Sequence, residues 1–101
     1  DLKFQIPHPR SWVNGWIMAV KFSSKKQRNK VHENLFKNEI ESKTIFKPAC
    51  NVKWLKEKYN LKSTKNAKNL YETALILPSS ASLSNKEIER VCDVVRGSFD
   101  V

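Results

Sequence analysis

Glycine is almost missing from this chain: Gly15 and Gly97 are the only two in 101 residues. That excludes a glycine-rich loop of the kind that turns backbone N–H groups onto a phosphate. Aspartate is equally sparse, with Asp1 and Asp100 near the ends and Asp93 inside a helical pattern. Two cysteines, Cys50 and Cys92, make no disulfide framework, and no C-x-x-C or His/Cys cluster stands beside them to hold zinc. His8 lies between two prolines and His32 falls within a helical pattern, so neither joins a nucleophile or metal set. Long apolar runs are lacking too. The longest, Trp16 to Val20, is far short of the roughly 20 residues a membrane-spanning helix needs. The first residues do not have the charged-then-apolar layout of a signal peptide.

What the chain has in excess is positive charge. Nineteen Lys and Arg against ten Asp and Glu give a formal charge of +9. Such a balance raises nucleic acid as a partner, and the densest cluster, Lys53 to Lys68, holds six lysines and one glutamate. A small basic nucleic-acid-binding or interaction protein is therefore the competing reading. Two features argue against it. Lysine outnumbers arginine fifteen to four, whereas base edges are read by the bidentate guanidinium fork. The lysines are also spread along the whole chain, often beside Asn, as on solvated faces. The same charge suits a smaller anionic partner such as a sugar nucleotide.

The length allows one domain with a single modest core. The chain opens on Asp1 rather than Met, which points to processing, an engineered boundary or a cleaved fragment. Cys92 sits on an apolar helical face and reads as a core residue, and unpaired thiols fit a reducing, cytoplasmic setting.

Along the chain, residues 1–11 contain Pro7 and Pro9 and read as an extended lead-in. Trp12 to Phe22 reads as a strand whose centre, Trp16 to Val20, is apolar on both faces. Ser24 and Gln27 form an S-x-x-Q capping box that opens a helix from Lys25 to about Phe36 or Asn38. A short strand, Thr44 to Phe46, stops at Pro48. Val52, Leu55 and Tyr59 are at helical spacing, and Asn66 to Tyr71 reads as a further helical turn with Ala67, Leu70 and Tyr71 inward. Ala74 to Leu77 is a strand stopped by Pro78, followed by a serine-rich turn. The last helix is doubly marked: Ser84 and Glu87 form an S-x-x-E capping box, and Leu83 with Ile88 can close a hydrophobic staple. Behind the cap, Ile88, Val91, Cys92, Val95 and Phe99 follow the i, i+3, i+4, i+7 spacing of a buried face. Strand, helix, strand, helices, strand, helix predicts a small two-layer α/β domain of about three short strands with helices packed on one face.

This strand–LPSS–turn–helix ending resembles the C-terminal small domain of the DegT-type sugar-nucleotide aminotransferases, enzymes of fold type I that depend on pyridoxal phosphate (PLP). The likeness runs over roughly residues 4 to 99 and keeps order: Val13-Asn14-Gly15-Trp16-Ile17 before the first strand, Leu35 to Ile40 at the helix exit, Lys47-Pro48 at the turn, Asn66-Ala67 and Asn69-Leu70 in a helix, then Leu77-Pro78-Ser79-Ser80. It is similar to the bacillosamine and legionaminic acid branch. Three departures stand out. Glu39 replaces a glycine before Ile40, leaving Asn38 as the residue expected to turn left-handed. Lys47 stands in place of an arginine, and Cys50 in place of a histidine.

The resemblance implies that residues 12–101 are the small domain of a larger enzyme that moves an amino group from glutamate, through PLP, onto a keto-sugar nucleotide. Asn14, Trp16, Lys47 and Cys50 would then lie near cofactor or substrate. The Schiff-base lysine, the acidic partner of the pyridine nitrogen and the phosphate donors belong in that family to the large domain. This chain alone is expected to hold no cofactor, no metal and no activity. Its expected partners are the large PLP-binding domain, a second subunit of the parent enzyme and a nucleotide-sugar substrate, with no membrane.

Overall fold

The structure, a computed structural model, describes residues 1–99. In chain order the elements are β1 (Lys3–Phe4), β2 (Met18–Lys21), α1 (Lys25–Lys37), β3 (Lys43–Thr44), a short 3-10 turn at Ala49–Asn51, α2 (Lys53–Tyr59), α3 (Lys65–Thr73), β4 (Ala74–Leu77) and α4 (Asn85–Gly97). The strands form one four-stranded sheet in the order β1-β2-β4-β3, with every neighbouring pair antiparallel. The domain is thus the small α/β unit expected, with one strand more than predicted.

The fourth strand is β1, which lies in the segment that Pro7 and Pro9 mark as an extended lead-in. Its two residues pair Lys3 with Lys21 and Phe4 with Val20. That pairing is non-local, and nothing within a two-residue segment announces it. The expected Trp12–Phe22 strand shrinks to Met18–Lys21. The register explains this: Met18 pairs with Leu77, so the next partner outward would be Pro78, which has no N–H to give. β3 likewise occupies Lys43–Thr44 rather than Thr44–Phe46. Thr44 pairs with Leu75, and β4 starts one residue earlier, directly from the end of α3. Beyond that point β3 has no partner.

Alternation along β2 puts Val20 and Phe22 on one face of the sheet, where β4 adds Leu75. Against them pack Val31 and Leu35 of α1, Ile40 and Val95 of α4, and these seven form the buried core. Phe99 stacks on Phe22 with ring centroids 6.2 Å apart. The other face of β2 is Ala19 and Lys21. The strand is therefore not apolar on both faces: Trp16 and Ile17, which gave that impression, precede it.

The helix ends follow their local chemistry, with two differences. Ser24 Oγ accepts from Gln27 N at 3.1 Å, but the Gln27 side chain does not reach back to close the box. Its amide donates to the Ser98 carbonyl at 3.4 Å, joining α1 to the end of α4. Ser98 is fully buried and also accepts from Asn34 Nδ2 at 3.0 Å while donating to Val94 O at 2.8 Å. At the other end of α1, Glu39 rather than Asn38 adopts the left-handed conformation, with φ +58°. Ile40 N donates to Leu35 O and Glu39 N to Phe36 O, the paired bonds of a Schellman motif, and Leu35 and Ile40 both lie in the core. Among the described residues no helix is long and apolar enough to cross a membrane.

Candidate functional site

α4 carries its apolar stripe further than the core requires. Val95 is buried, but Ile88, one full heptad earlier on the same stripe, is 47% exposed. Ile88, Val91 and Cys92 face an open hollow of about 480 Å³ instead. Its opposite wall is Phe4 and Met18, from the two strands at the β1 edge, and Leu77 and Pro78 close one end. Among the described residues Arg96 is the only charged one on its boundary.

The mouth of the hollow is built by the segment before β2. Asn14 Oδ1 accepts from Trp16 N at 3.1 Å across Gly15, whose φ of +69° lets the chain turn there. A side chain at Gly15 would meet nothing, so the constraint is the backbone angle and not space. Ser79 Oγ then donates to Trp16 O at 2.7 Å, tying the LPSS turn to this segment. The result fixes the backbone while leaving both indoles outside: Trp12 is 87% and Trp16 73% exposed.

The candidates named from sequence do not gather in one place. β2 and β3 run the same way, both antiparallel to β4. Asn14 and Trp16 lead into β2 at the end where β4 finishes, whereas Lys47 and Cys50 follow β3 at the end where β4 begins, across the sheet. Lys47 is exposed. Cys50 is buried, and its thiol donates to Asn51 Oδ1 at 3.6 Å. Cys92 is half-buried on the wall of the hollow rather than in the core. The hollow itself was missed because periodicity marks an apolar face but not what covers it.

A PLP site needs a desolvated lysine, a buried acid and phosphate donors. Every lysine is exposed except Lys21, which is half-buried, and Asp93 lies on the surface. Among the described residues no three His, Cys, Asp or Glu side chains cluster as metal ligands. The residues present do not fit the cofactor.

A family model described as the DegT/DnrJ/EryC1/StrS aminotransferase family matches residues 2–96. No curated protein matches the sequence. Among solved structures the chain is similar to TlmJ, an aminotransferase from Streptoalloteichus hindustanus, at 20% identity and a TM-score of 0.80, covering 97% of this chain and 26% of that one. It is also similar to PseC of Helicobacter pylori, an aminotransferase involved in the biosynthesis of pseudoaminic acid, at 20% identity and a TM-score of 0.72, covering 82% of this chain and 23% of that one. Spr1654 of Streptococcus pneumoniae, solved in its PMP form, matches at 22% identity and a TM-score of 0.61, over 81% of this chain and 21% of that one. The chain thus spans about a quarter of the length of the proteins whose fold it shares.

Proposed function

Since the chain belongs to the DegT/DnrJ/EryC1/StrS aminotransferase family, we propose that it is the C-terminal small domain of a PLP-dependent enzyme that transfers an amino group from glutamate to a keto-sugar nucleotide. The observation that carries this reading is the coverage: nearly all of this chain lies on one quarter of an aminotransferase. The cofactor, when bound by the remainder of the enzyme, supplies the chemistry that carries the amino group. This chain supplies walls and contacts.

The segment Asn14 to Trp16 is our choice for the junction with the large domain. Its backbone is held by the Asn14 turn and the Ser79 bond, while the Trp16 ring is free to stack on a planar group. We take residues 12–99, with 100 and 101 lying outside the described residues, as the body of the domain, and 1–11 as a lead-in whose strand β1 completes its sheet. Lys47 leaves from the opposite end of the sheet and serves a different surface, where its charge suits a phosphate, and Cys50, three residues on, is buried. The enzyme works as a homodimer in the reducing cytoplasm, a setting that the unbridged Cys50 and Cys92 allow.

The test separates this chain from the whole. Incubated with PLP and borohydride, the isolated chain should give no adduct at one specific lysine and no turnover of a keto-sugar nucleotide with glutamate. Joined to the remainder of the enzyme it should support turnover, and Trp16→Ala should reduce it. A single-site adduct with turnover by the isolated chain would overturn the assignment.

A further inference from the structure

We propose that the face of the sheet opposite the α1–α4 core carries a binding site for a small organic phosphate monoester, held between Lys3 and Lys21. The site goes beyond the small-domain reading and does not depend on it, because every residue it uses belongs to this chain.

The starting point is a pairing that works against the fold. Lys3 of β1 and Lys21 of β2 are directly opposite in register, so antiparallel geometry sends both side chains to the same face. Like charges at that spacing repel. Lys21 is also half-buried, which strips part of its water. The face treats its lysines unequally. Lys43 of β3 shares that side through the register Lys43–Ile76–Ala19, and it has the Glu41 carboxylate at 3.2 Å. Among the described residues neither Lys3 nor Lys21 has an ion-pair partner.

The two lysines border a second hollow, of about 410 Å³, within the range of small-ligand sites. Much of its wall is apolar: Ala19 and Ala74 from the strands, Ile45 just beyond β3, and Leu70 of α3, which is 43% exposed. Gln5 adds an amide on the boundary, and among the described residues no carboxylate lines the space. That composition selects the occupant. Two unpaired cations call for a double negative charge on one compact head. A phosphate monoester carries close to two charges near neutral pH, with three acceptor oxygens to share between the ammonium groups. The apolar wall calls for a hydrocarbon or aromatic body, which inorganic phosphate lacks. A nucleic-acid strand is the poorer match, because each of its phosphates carries a single charge.

Phenyl phosphate is the probe, titrated into the 101-residue chain and followed by nuclear magnetic resonance of the backbone amides. Signals of Lys3, Ala19, Lys21 and Leu70 should shift together and saturate. Inorganic phosphate should bind at least about tenfold more weakly, the loss expected when no ring is buried. Lys3→Met and Lys21→Met keep the aliphatic stem and lose the charge. Each should weaken phenyl phosphate at least about tenfold, as for loss of one hydrogen bond to a charged group. Lys56→Met, which does not line the hollow, should leave affinity unchanged. Phenyl phosphate should also raise the melting midpoint of wild type but not of the Lys3→Met/Lys21→Met double variant. The wild-type shift map decides the matter if a variant fails to fold. Equal binding of the two phosphates, an equal loss in Lys56→Met, or shifts confined to the lysines of α2 and α3 would assign the effect to diffuse positive charge and overturn the site. So would the absence of saturable binding at millimolar phenyl phosphate.

Discussion

Glu39 turns the chain out of α1 at φ +58°, a region that costs a residue with a Cβ about 1–2 kcal/mol. Its side chain is exposed, so nothing in the core depends on it. Replacing it with glycine removes that strain but adds freedom to the unfolded chain, which costs about 0.4–1 kcal/mol. The strain term is the larger, and Glu39→Gly should stabilise the domain by about 0.5–1 kcal/mol. Chemical denaturation should show a higher midpoint with an unchanged slope. A lower midpoint would mean that the Schellman bonds do not impose the left-handed angle.

At the scale of one element, α4 is held at its start by two reciprocal bonds. Glu87 N donates to Ser84 Oγ at 3.2 Å, and Ser84 N donates to Glu87 Oε2 at 2.7 Å. Ser84→Ala should lower stability by about 0.5–2 kcal/mol, read as a lower denaturation midpoint. The pH dependence follows from the second bond. The Ser84 backbone N–H, and then its hydroxyl, hold the Glu87 carboxyl below its ordinary value. A carboxyl depressed on folding stabilises the native state above its unfolded pKa, and that contribution is lost as pH falls through the lower folded value. Stability should therefore fall on the acid side of the ordinary carboxylate range. Glu87→Gln, which can still accept the Ser84 N–H, should flatten that part of the profile. A titration showing the same acid-side loss in wild type and Glu87→Gln would assign it to other carboxylates.

For the whole molecule the governing quantity is charge. Among the described residues the three ion pairs, Glu33–Lys37, Glu41–Lys43 and Asp93–Arg96, are all on the surface, and none involves a lysine of α2 or α3. The six lysines from Lys53 to Lys68 are all exposed, so solvation and not pairing accounts for them. A surface of that kind binds polyanions without selection. DNA or RNA binding should be weak, indifferent to sequence, and should drop steeply with added salt as counterions are no longer released. Titration at several salt concentrations checks this. Tight binding at physiological salt that disappears on replacing Lys56, Lys58, Lys62 and Lys65 would instead favour the nucleic-acid reading.

What the sequence determined by itself is local. The Ser84–Glu87 box, the span of α1, the β4 strand ended by Pro78 and the stripe on α4 were all legible, because capping and periodicity act between residues a few positions apart. The resemblance carried by the ordered motifs located the whole domain for the same reason. Wherever the deciding partner is distant in sequence, the reading went astray. β1 exists because Phe4 meets Val20, and β2 starts late because Pro78 sits opposite Ile17. Gln27 abandons its own cap because the Ser98 carbonyl, 71 residues on, lies within reach. The same division runs through the site. Sequence marked Asn14 and Trp16, and Lys47 and Cys50, but only strand order places those pairs at opposite ends of the sheet. Sequence also showed that Ile88 and Val95 share a face of α4. Whether that face meets Leu75 and Phe22 or an open hollow depends on how far α4 reaches across the sheet, which only the packed chain decides.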